Sequence, residues 1–63
     1  MDKKEALKIV KNDGRELKNL PAHFKKDKKI VLEAVKTYGD AIAYADESLR
    51  NDPDILAMVN KKK

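Results

Sequence analysis

The chain has 63 residues, with 15 Lys/Arg against 11 Asp/Glu, a formal charge of +4, no cysteine and one histidine. A chain this short makes one domain at most and buries only about 60% of the surface its unfolded form exposes. Composition excludes disulfides and zinc sites built on Cys and His, and no apolar run approaches a signal-peptide core of about 7–15 residues or a membrane span of about 20, so a cytoplasmic, cofactor-free protein is the expectation.

The first predicted element is a helix near residues 3–12. Asp2 stands where a side-chain oxygen can accept from the free N–H groups of the first turn, and Glu5 follows three residues later in capping-box fashion. At 100° per residue, Ala6, Leu7, Ile9 and Val10 cover an arc of roughly 160°, a one-sided amphipathic face. Gly14 follows the helix, where a left-handed residue commonly closes the final turn. The connector to Lys26 keeps Leu17, Leu20 and Phe24 at spacings of three to four, which predicts short helical turns, broken in two at Pro21.

A second helix follows near residues 28–38, capped by Asp27. Ile30, Val31, Leu32, Ala34, Val35 and Tyr38 span roughly 200° of it, so it is expected at the centre, with Leu32 and Val35 in the core. Gly39, then Ile42, Ala45 and Leu49, repeat the first connector. A third helix, near residues 53–61, opens on Asp52-Pro53, proline being well suited to the first helical position. Its apolar quartet Ile55, Leu56, Met58 and Val59 stands one position closer to the second helix's quartet than Asp52 stands to Asp27. Its face is therefore turned by about 100° relative to the helix start.

These markers recur at a period of 25: Asp2, Asp27 and Asp52; Lys11, Lys36 and Lys61; Gly14 and Gly39. Fixed-period self-similarity predicts an all-α fold of two stacked helical repeat units plus a closing C-terminal helix. The single domain, residues 1–63, divides into units 2–26 and 27–51 and a partial unit 52–63, and it contains about five to seven helical pieces.

Val31-Leu32-Glu33-Ala34-Val35-Lys36, then Gly39, Ile42, Tyr44-Ala45, Glu47 and Leu49-Arg50-Asn51-Asp52, resembles one full unit of the short bacterial repeats grouped as domain of unknown function 4116. Ala6-Leu7, Ile9-Val10-Lys11, Gly14, Leu17 and Asp27 resemble it more loosely, and Pro21, His23 and Pro53 depart from it. The resemblance implies tandem helical units, often in longer arrays, and implies no activity, ligand or catalytic residue.

The residues offer no enzyme. Asp52 and Asp54 fit a helix cap and a first-turn acid better than an acid–base pair, which needs groups converging in a pocket. His23 has no cysteine partner and Ser48 no second histidine, so no nucleophile–base–orienter set forms, and no metal or cofactor site is expected. Gly14 and Gly39 are isolated, not a phosphate loop. The charge is uneven: residues 1–36 carry eleven Lys/Arg against six Asp/Glu, residues 37–60 one against five, and Lys61–Lys63 end the chain.

Lys25, Lys26, Lys28 and Lys29 crowd the start of the second helix, the end where the helix dipole disfavours cations. With Tyr38 and Tyr44 they are the candidate partner-binding residues. A solvated turn is the simpler account of the lysines, since charge runs usually are solvated, and Tyr38 and Tyr44 are better suited to packing with the hydroxyl at the surface. With only Arg15 and Arg50 for bidentate base reading and few aromatic platforms, a protein partner is expected ahead of a weak, sequence-independent nucleic-acid contact, with no membrane partner. The chain is expected as a monomer or beside neighbouring repeats of a longer array.

Overall fold

The structure, a computed structural model, describes residues 1–61 of the chain, with side chains through residue 59; the expected basic tail Lys61–Lys63 therefore lies outside the described side chains. The fold is all-α. In chain order it runs α1 (Lys3–Asn12), the 3₁₀ helix η1 (Gly14–Asn19), α2 (Ala22–Lys25), α3 (Lys28–Thr37), the 3₁₀ helix η2 (Gly39–Tyr44), α4 (Glu47–Arg50) and α5 (Pro53–Lys61). Each element from α1 to α2 has a counterpart one period later, and α5 starts one period after α3.

Caps explain where the long helices begin. Asp2 accepts from the Glu5 N–H at 2.9 Å, Asp27 from the Lys29 and Ile30 N–H groups at 3.0 and 3.4 Å, and Asp52 from the Asp54 N–H at 2.9 Å. Each aspartate satisfies first-turn donors that have no partner inside the helix. The second helix ends at Thr37, one residue before the expected end, with Tyr38 as its extended cap. Pro21 breaks the first connector as expected; the second breaks at the same place without a proline, at Ala45 and Asp46, where Asp46 caps α4 by accepting from the Ser48 N–H at 3.1 Å.

The glycines differ from the sequence expectation. Neither Gly14 nor Gly39 adopts a positive φ; α1 and α3 end instead on the extended residues Asp13 and Tyr38, and the glycines begin the 3₁₀ helices. Gly14 is required by proximity: a Cβ there would collide with the Ala34 carbonyl oxygen and come within 2.7 Å of Thr37 Oγ1 and 2.9 Å of Tyr38 Cβ. The chain of η1 thus passes directly against the end of α3.

α3 packs against both α1 and α5, forming one layer; η1 packs on α1 and α3, and η2 on α3 and α5, forming the other. The core runs between the layers through Ala6, Val10, Leu17, Leu20, Phe24, Ile30, Val31, Ala34, Val35, Ala41, Ala45 and Ile55, all buried. The Thr37 hydroxyl donates towards the Val10 carbonyl at 2.9 Å and the Ala34 carbonyl at 3.0 Å, tying the end of α1 to α3.

One core expectation needs correction, and the register of the third helix is settled. Leu32 is half-buried at the outer face of α3, whereas Ile30, Val31, Ala34 and Val35 are fully buried. In α5 the structural counterpart of Ile30 is Ile55, one full period on and equally buried, so cap spacing sets the register and the apolar quartet is rotated out. Leu56 is consequently exposed and Met58 and Val59 are half-buried.

Candidate functional site

A shallow groove of about 550 Å³ lies across the outer face of the α1–α3–α5 layer. Lys28, Lys29, Leu32, Glu33 and Lys36 line it from α3, together with Asp27 at the α3 cap, Lys3 from α1 and Met58 from α5. The α3 residues fall at spacings of one, three and four, which places them on one stripe of the helix. That stripe is the part of α3 left over once Ile30, Val31, Ala34 and Val35 face the core, so Leu32 lies in it and outside the buried arc. Leu32 and Met58 supply the apolar floor, and four lysines supply the rim.

The rim lysines are mostly neutralised by their own chain. Lys3 Nζ lies 3.1 Å from Asp27 Oδ2, and Lys28 Nζ lies 3.4 Å from Asp52 Oδ2 and 2.7 Å from Asp54 Oδ2. The first two pairs are one contact repeated a period later: the first lysine of a long helix meets the capping aspartate of the next. Lys36 lies 3.7 Å from Glu33 on the same helix. Such exposed pairs contribute little each, about 0–1 kcal/mol. They nevertheless remove net charge from the groove, and Lys29 is the rim lysine with no carboxylate at ion-pair distance among the described residues.

The pairs also set the protonation of the caps. Partial burial pushes Asp27 up, but hydrogen bonds from Lys3 and the Ile30 N–H, with the Lys3 charge, outweigh it and hold the carboxyl below its ordinary value. Asp52 behaves alike: burial raises it, while the Asp54 N–H and Lys28 lower it further. The Asp54 carboxylate, against a smaller opposing effect of burial, raises Lys28 with help from Asp52.

The six partner-binding candidates do not converge. Lys28 and Lys29 line the groove, whereas Lys25, Lys26, Tyr38 and Tyr44 do not. Lys25 is half-buried, and its carbonyl accepts the Asp46 N–H at 3.0 Å, joining the end of α2 to the start of α4. The tyrosines are half-buried and each has a cation from η1 near its ring: Arg15 Cζ is 5.8 Å from the Tyr38 centroid and Lys18 Nζ 5.9 Å from that of Tyr44. Each contact sets a cation over one face of the ring. Sequence reasoning missed Lys3, Leu32, Lys36 and Met58 as groove residues; the i, i+4, i+8 stripe Lys28–Leu32–Lys36 was the available signal.

Chemistry is sparse here. His23 is exposed on α2 with its ring 4.2 Å from Phe24, Ser48 Oγ lies 2.7 Å from the Asp46 carboxylate that caps its helix, and Asp52 and Asp54 both serve the start of α5 and Lys28. Among the described residues no group of three or more His, Cys, Asp or Glu is placed to hold a metal ion, and no helix is long and apolar enough to cross a membrane.

The family model for Domain of unknown function (DUF4116) matches residues 2–50 and, in a second placement, residues 27–59. The starts of the two placements are offset by one period, as are successive long helices and their caps. No curated protein matches the chain, and no solved structure does.

Proposed function

We propose that this chain, which belongs to the family described as Domain of unknown function (DUF4116), is a non-enzymatic interaction module of the cytoplasm that docks protein partners in the groove across α1, α3 and α5. In this reading it is built from two α–3₁₀–α units, residues 2–26 and 27–51, closed by a partial unit, residues 52–63, that contributes α5 (Pro53–Lys61). The observation that carries the reading is the groove's make-up, an apolar Leu32–Met58 floor inside a rim whose lysines are largely paired with aspartate and glutamate. An apolar floor with a balanced polar rim suits a protein surface, whereas polyanion binding rests on cations free to replace counterions. Stacked helical units present surfaces more readily than enclosed pockets, and among the described residues no nucleophile–base pair lines the groove.

Capture from a lysate, with and without nuclease, tests the reading when wild type is compared with a Leu32→Glu/Met58→Glu variant whose circular dichroism matches wild type. Proteins retained by wild type after nuclease and lost by the variant support the groove. The competing reading, nucleic-acid binding through Lys25, Lys26, Lys28 and Lys29, predicts a steep log-linear loss of oligonucleotide affinity with salt. Oligonucleotides are expected to bind weaker than about 10 μM at physiological salt, within the usual non-specific range. Submicromolar binding abolished by changing the four lysines to glutamine would reverse the ranking.

A further inference from the structure

Burial along the chain is directional. Val31 is fully occluded, yet its counterpart one period on, Leu56, is 39% exposed. Leu17 and Phe24 are buried, whereas their counterparts Ile42 and Leu49 are only half-buried. Leu17, Phe24 and Val31 lie on η1, α2 and α3, each of which packs on an element that follows it in the chain: η1 on α3 and η2, α2 on α3, and α3 on α5. Ile42, Leu49 and Leu56 come from η2, α4 and α5, and α5 packs on both η2 and α4, so the three less-buried positions lie on one group of adjoining elements.

Two positions of the first unit show the reverse. Glu5 and Glu16 are exposed, and their counterparts Ile30 and Ala41 are fully buried on α3 and η2, the elements that pack on α1 and η1. The surface that covers a unit's forward face is therefore the backward face of another unit, apolar at the positions of Ile30 and Ala41. That match is already made where α3 and η2 pack on the first unit. Two carboxylates close the backward end as a polar cap does in a stacked array, while the forward end carries three apolar side chains and, among the described residues, no such cap.

We propose that the face formed by Ile42, Leu49 and Leu56 docks a further α–3₁₀–α unit of the same kind on another molecule, one with apolar residues where this chain has Glu5 and Glu16. This face is distinct from the groove, and the proposal does not depend on what the groove binds. Contact is heterologous, forward face on backward face, and a copy of this chain is a poor partner because it would bury Glu5 and Glu16 against Leu56 and Ile42.

The test converts a copy into the fitting partner. Glu5→Ile/Glu16→Ala/Leu56→Glu opens the backward face and blocks the forward one; both glutamates are exposed, and the Glu5 cap bond uses its backbone N–H. Sedimentation equilibrium of wild type mixed with this partner is expected to give a 1:1 complex that stops at two chains. A dissociation constant of about 0.1 mM fits a face smaller than a standard interface. Each protein alone stays monomeric, and wild type carrying Leu56→Glu loses the complex. No complex at about 1 mM, a complex that survives Leu56→Glu in the wild-type chain, or self-association of the partner alone overturns the proposal. If the partner does not fold, Glu16→Ala/Leu56→Glu replaces it with the same readings. A chain with residues 27–51 duplicated in tandem should melt higher than wild type, because the added unit covers the face from within; an unchanged or lower melting temperature also overturns the proposal.

Discussion

Gly14→Ala should destabilise this protein far more than a one-methyl change on a surface helix would. The added Cβ meets three neighbours at once, and the nearest is the Ala34 carbonyl oxygen, a backbone atom that moves only if α3 moves. Thr37 Oγ1, at 2.7 Å, is held by its own bonds to Val10 and Ala34, so it yields little more easily. Overpacking of this sort costs about 1–3 kcal/mol and occasionally more, and rigid neighbours favour the upper end. Against it stands the lower chain entropy of alanine in the unfolded state, about 0.4–1 kcal/mol, available because Gly14 does not use a positive φ. The clash wins, leaving a loss of about 2 kcal/mol out of a total of about 3–9 kcal/mol for a domain this size. At about 4–8 °C per kcal/mol that lowers the melting temperature by about 8–16 °C. Melts followed by circular dichroism at 222 nm read this directly. A variant as stable as wild type would show that η1 does not pass against α3 as described.

Val35→Ala removes a fully buried side chain and is expected to cost about 2 kcal/mol, while half-buried Leu32→Ala costs about 1 kcal/mol although it deletes more atoms; urea titration ranks the pair, and the reverse order refutes the placement of Leu32 in the groove. Asp27 and Asp52 have lowered pKa values when folded, so their contribution to stability is full above the unfolded value of about 4 and is lost as pH falls through the folded values. Melting temperature should therefore drop below about pH 4, and Asp27→Asn/Asp52→Asn, which keeps capping oxygens, should flatten that drop; an identical acid limb in both proteins contradicts it. Lys28→Gln breaks the contacts with Asp52 and Asp54 and should cost no more than about 1 kcal/mol, since the pair is exposed; a larger loss in the melt would mean that the repeated lysine–aspartate contact anchors α5.

Much of this fold is local and therefore legible in the sequence. The three aspartates begin helices because capping needs only a side-chain oxygen and N–H groups two or three residues away, and Pro21 breaks its connector because its ring and missing N–H act on immediate neighbours. The all-α class was legible for the same reason, because caps and one-sided apolar faces are local signals. What depended on neighbours distant in sequence was decided only by packing. Gly14 is glycine because α3, much later in the chain, occupies the space of a Cβ, and no local turn rule contains that fact. Lys28 looked like a free charge at the wrong end of a helix until Asp52 and Asp54 were brought beside it. Leu32 and Val35 read alike along the helix, yet only one points between the layers, because the direction of burial is set by where the second layer lies. Likewise Val31 and Leu56 stand one period apart, yet one is fully buried and the other 39% exposed, a difference that packing alone decides.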